Sequence, residues 1–196
     1  MTNLNSSASG GYLTAGPPTS PQDDALIDVV SSAIVRMLDI TPSYVRPRWQ
    51  PIPAPELPPT TDWCSLGLMT EMATFSPEII HDPTLFPNLA GTPQGGDVLI
   101  RREKLSLLIT FYGPNSNGNA ASMRDAFFIP QNWEALRTLG IVLYDVDHLS
   151  NIPELVNNQW IARSDIDVQM FREVKRTFEV FTLLSGKTAV TNNPGG

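Results

Sequence analysis

The sequence predicts an α+β fold: a mostly antiparallel β-sheet with helices packed on one face, plus extended Pro-rich arms. Three observations carry this. Between Trp160 and Lys175, apolar residues at even positions (Trp160, Ala162, Ile166, Val168, Met170, Val174) alternate with Arg163, Asp165, Asp167, Gln169, Glu173 and Lys175 at odd ones, which is the period of a half-buried strand. Leu105, Leu107, Ile109 and Phe111 repeat that pattern, and one-sided burial favours antiparallel pairing. Leu26, Val29, Val30, Ala33, Ile34, Met37 and Leu38 instead follow the 3.6-residue period of an amphipathic helix.

The chain has 196 residues, which argues for one domain with arms. A domain of this size buries roughly 70% of the surface its unfolded chain exposes, enough for a real core. The expected division is a flexible N-terminal arm (1–20), a single α+β domain (21–184) with a projecting loop (75–96), and a C-terminal tail (185–196). The 18 prolines exceed the usual share of about 5%. They cluster, which implies stiff extended segments on a folded body. The net charge of −7 argues against general electrostatic binding of DNA or anionic membrane, which needs clustered Lys and Arg. Cys64 is the single cysteine, so no intramolecular disulfide forms and a reducing compartment is the natural reading. No apolar run approaches the ~20 residues of a membrane span. The N-terminal stretch lacks the basic and apolar regions of a signal peptide.

The first element is expected from Pro21 to Asp39, with Ser20 as N-cap, Pro21 at the first helical position, and Asp23 and Asp24 complementing the dipole. Tyr44 to Gln50 reads as an edge strand, because Pro47 cannot donate to a central ladder. Pro51 to Pro59 is polyproline-like, either a strap across a neighbour or a plain surface linker. Asp62 to Met72 is a strand with Trp63, Ser65, Gly67 and Met69 on one side and Cys64, Leu66 and Leu68 on the other. Phe75 to Gly96 shows no periodicity and is taken as a loop or arm. Asp97 to Tyr112 is a long strand with Glu103 at the more exposed end of its apolar row. Helices are expected over Asn119–Phe128 and Gln131–Leu139, the latter closed by a left-handed Gly140. Strands follow over Ile141–Val146 and, as a pair, Trp160–Leu184.

No nucleotide-binding, metalloprotease or nucleophile-elbow motif is present. His81 and His148 fall in expected loops without the converging groups that catalysis or zinc needs. Cys64, mid-strand, reads as a small packed side chain. Asp145 with Asp147, and Asp165 with Asp167, each share a strand face and offer oxygens to a hard cation; a solvated or lumen-facing acidic row is the preferred reading. Arg46, Arg48 and Trp49 on the edge strand read as protein-interface anchors, with Pro51 and Pro53 beside them. No cofactor or metal is expected. Composition and motifs therefore point to assembly without saying which.

Five stretches carry the argument further: SGGYL (Ser9 to Leu13), YVRPRWQPIPAP (Tyr44 to Pro55), DWCSLGL (Asp62 to Leu68), LLITFYGPNSNGNAASMRDAFFIPQN (Leu107 to Asn132) and PELVNNQWIARSDIDVQMFREVKRTF (Pro153 to Phe178). With them the chain resembles the neck or tail-terminator (gateway) proteins of tailed bacteriophages. The resemblance covers most of the chain, in order, and contains no catalytic signature. It implies a non-enzymatic virion protein with a tail-terminator-like fold, assembled in the host cytoplasm. It further implies a homo-hexameric ring that caps the tail tube and joins it to the head–tail connector or collar protein, with the sheath protein as a further candidate partner. Genomic DNA would pass through the lumen at ejection without specific binding, and Asp165 and Asp167 are the candidate lumen residues. The alternatives are a tail-tube or head-completion subunit, a metal-dependent enzyme using the aspartate pairs, and a peptide-binding module using its open edge strand.

Overall fold

The computed structural model describes residues 11–50, 52, 55–73, 75–87, 94–156 and 158–181. Helix α1 (Asp23–Leu38) is followed by a 3-10 turn (Pro42–Tyr44) and strands β1 (Val45–Pro47), β2 (Trp63–Ala73), β3 (Glu78–Asp82) and β4 (Gly96–Tyr112). Then come α2 (Ser116–Phe127), α3 (Pro130–Arg137), β5 (Ile141–Asn151), β6 (Glu154–Val156), β7 (Gln159–Ile161) and β8 (Arg163–Glu179). The main sheet runs β1-β2-β4-β8-β5, with β3 paired to β4; β6 and β7 form a separate hairpin. Pairing is antiparallel for β2 with β4 and for β5 with β8, and parallel for β1 with β2. The α+β reading therefore holds, and β1 is the edge strand expected of a segment ending in Pro47.

The chain divides into two compact units. In the larger one (18–77 and 100–175) the β2–β4 register sets Cys64 against Phe111 and Leu66 against Ile109. These residues share a fully buried cluster with Leu26, Val30 and Ile34 of α1, Met123 and Phe127 of α2, and Ile166, Val168 and Met170 of β8. Each such side chain contributes about 1.5–3 kcal/mol by leaving water. In the smaller unit (1–17, 78–99 and 176–196), His81 Nδ1 lies 2.7 Å from Asp97, and Gly16 donates its N–H to Thr177. A Cβ on Gly16 would sit 2.9 Å from the Thr177 carbonyl, so that approach needs glycine.

Several boundaries depart from the sequence reading. α1 starts at Asp23, not Pro21, with Gln22 rather than Ser20 at its N-cap and no side-chain cap bond. The residues before it are tied to β8: Thr19 N–H bonds to the Lys175 carbonyl, and the Pro21 carbonyl accepts from Arg172. α2 starts three residues early, at Ser116, because Asp62 accepts from both the backbone and the side chain of Asn115. The stretch read as a structureless loop contains β3, whose Ile79 and Ile80 are both exposed, so no alternation marks it.

Glu103 is the largest departure. It is 4% exposed, not the wet end of its row, because Arg172 is fully buried beside it. Arg172 donates to Glu103 at 2.6 and 3.1 Å and reaches Glu71 at 2.8 Å. A buried arginine in an apolar row is tolerated only with charge and hydrogen-bond partners of this kind.

Candidate functional site: a groove on the sheet face away from the helices

The alternate row of each strand faces away from the cluster. There Trp63 opposes Tyr112 and Ser65 opposes Thr110. The Trp63 and Tyr112 rings stack with centroids 4.3 Å apart. The Arg46 guanidinium lies 5.6 Å from the Trp63 ring and that of Arg163 lies 6.0 Å from Tyr112, distances at which a cation is attracted to an aromatic face. Burial pushes the Tyr112 hydroxyl above its ordinary pKa, and the neighbouring Arg163 opposes part of that.

Arg46, Trp63, Ser65 and Tyr112 floor a groove of about 580 Å³, walled by the segment Pro55–Pro59 and by Glu154, Val156 and Ile161 of the hairpin. Arg46 secures the wall: its Nη1 donates to the Pro55 carbonyl at 2.7 Å and its Nε to the Ser43 carbonyl at 3.2 Å. The described part of the polyproline segment thus lies along the groove of its own chain. Arg48 extends the β1 pairing through its N–H to Leu66 and donates Nη2 to the Thr110 hydroxyl. Its Nε is buried without an acceptor among the described residues. Trp49 is 62% exposed and lies over Gly67, where a Cβ would come within 2.8 Å of its ring. Glycine at 67 is what lets the indole lie on the strand.

Arg46 and Arg48, singled out in the sequence, therefore enter one groove, with Trp49 beside it. Pro51 and Pro53 lie outside the described residues. Trp63, Tyr112 and Arg163 were missed, because only the strand register brings them together; the aromatic residues closing each strand were the available signal.

Asp165 and Asp167 lie on this same sheet face, but they do not form an open acidic row. Arg163 holds Asp165 with two bonds, at 2.7 and 3.0 Å, and Asp165 is 8% exposed. Asp167 accepts the Ser106 hydroxyl at 2.8 Å. Asp145 and Asp147 are exposed on β5, and each accepts the N–H of the next residue. Among the described residues no group of three or more His, Cys, Asp or Glu could hold a metal ion, and no helix is long and apolar enough to cross a membrane. His81 and His148 are exposed and paired with Asp97 and Asp147. Cys64 is fully buried, and burial pushes its thiol up to about 12, so it stays protonated as a packed side chain.

This face combines flat aromatic surface, guanidinium donors and a proline wall on an α+β scaffold. A family model for phage neck terminator proteins matches residues 24–194, nearly the whole chain, and the chain belongs to that family. No curated protein matches it. The protein is thus a structural component of the virion neck, working among other proteins of the phage tail and head connector.

Proposed function

We propose that the chain is a non-enzymatic tail terminator. Copies close into a homo-hexameric ring that caps the tail tube and joins it to the head–tail connector, with DNA passing through the lumen at ejection. Assembly takes place in the host cytoplasm. The observation that carries this reading is the family match across residues 24–194. It is supported by large apolar side chains left exposed in pairs: Leu155 and Trp160 are opposed in the β6–β7 hairpin and are 53% and 68% exposed, as befits a docking surface. Because Arg163 neutralises Asp165 and Ser106 bonds Asp167, repulsion of DNA in the lumen comes mainly from the net charge of −7. Asp165 and Asp167 take part there as paired groups.

Light scattering of the purified protein, followed by negative-stain imaging in low and moderate salt, tests this reading. Closed rings with an open centre are expected. Long tubes would make the chain a tube subunit, and a monomer at every concentration would oppose self-assembly.

A further inference from the structure

We propose that successive copies meet through the two opposite edges of the main sheet, Arg46 and Arg48 at the β1 edge of one copy taking the carboxylates of Asp145 and Asp147 at the β5 edge of the next. This deepens the ring reading and rests on it.

The strand order supplies the geometry. β1 and β5 end the sheet on opposite sides. A ring closed by rotation needs two different surfaces on one chain that fit each other, and the two ends of a sheet are such a pair.

Charge supplies the fit. Arg101, Arg102, Arg124, Arg163 and Arg172 each lie within 4.0 Å of a carboxylate of the same chain. Among the described residues Arg36, Arg46, Arg48 and Arg137 have none; Arg36 and Arg137 are on helices, and Arg46 and Arg48 alone of the four are at an end of the sheet. The planar guanidinium fork suits a carboxylate. At the other edge Asp145 and Asp147 are exposed, and every bond they accept ends on Oδ1: Val146 N–H at 2.8 Å, His148 N–H at 2.7 Å and the His148 ring at 2.9 Å. Their Oδ2 atoms have no partner among the described residues. Both pairs have the i, i+2 spacing that sets side chains on one side of a strand.

The contact runs through side chains because both edges resist backbone pairing. β5 carries two register shifts, and the N–H groups of Val146 and His148 are already occupied by the aspartates. β1 has three residues and ends at Pro47. Bulges, charges and proline are the usual means of blunting a sheet edge, so what remains available at each edge is its charge.

The test uses two charge-reversed full-length chains, Arg46→Glu with Arg48→Glu, and Asp145→Arg with Asp147→Arg, read by light scattering beside the unaltered chain. Each alone should lose the ring, with subunit affinity falling at least ~100-fold. Mixed in equal amounts, they should recover it, since Glu at one edge then meets Arg at the other around an alternating ring. The aspartate variant gives up the bonds to the Val146 and His148 N–H groups, so its urea midpoint is measured beside the mass, and rings lost with the midpoint kept are a loss of the contact. Rings that survive in the aspartate variant, or a mixture that fails to recover them, overturn this contact while leaving the ring reading standing. An unaltered chain that stays monomeric overturns the ring reading and the contact with it.

Discussion

Two sets of arginines on one sheet meet opposite fates. Arg172 lies in the helix-covered core with Glu103, Glu71 and the Pro21 carbonyl around it. Arg46 and Arg48 lie on the other face, bonded only to carbonyls and one hydroxyl among the described residues. The first set is completed by its own chain and serves the fold. The second is held by its own chain without a carboxylate partner among the described residues, which leaves its charge available to the proposed contact.

Removing Arg172 should sharpen this contrast most. Arg172→Met leaves the buried Glu103 with only the longer Arg101 contact at 3.9 Å, and up to about 3–5 kcal/mol of stability should be lost in urea unfolding. Adding Glu103→Met should recover much of that, because replacing both partners of a buried pair by apolar groups is often neutral. A single variant as stable as the parent would mean that the cluster does not hold the core.

Arg46→Ala should behave in the opposite way. As a partly exposed group bonded to the Pro55 and Ser43 carbonyls, its loss should cost about 1 kcal/mol, well below that of Arg172, while scattering reports weakened assembly. A large fall in the unfolding midpoint without any change in mass would place Arg46 with Arg172 instead.

The smallest effect is at Cys64. With its thiol pushed up to about 12 by burial, alkylation at pH 8 should be negligible in the native chain and rapid once it is unfolded. The unfolded thiol loses its proton first, so this contribution is complete below the ordinary thiol range and is lost as pH rises from there to about 12. Brisk native labelling at pH 8 would show that the β2 core opens.

The sequence made the rows of the sheet legible, because alternation in β4 and β8 reports which side is wet. It hid Arg172 and Glu103: each sits in an apolar row, and a lone charge there reads as a row end unless two such charges on separate strands are matched. It hid β3 because Ile79 and Ile80 are exposed side by side. At the candidate site Arg46 and Arg48 stood out through their spacing around Pro47. The Trp63–Tyr112 stack did not, since nothing in either strand alone fixes the register that joins them.

Hydrogen exchange on assembled and diluted protein tests the central claim most directly, that the edges of the sheet away from the core serve assembly. The account predicts that on assembly exchange slows at residues 45–50, at 55–63 beside the groove and at 141–151, while amides of α1 and the middle of β4 keep their rates. Slowing confined to the helices, with both sheet edges unchanged, would contradict it.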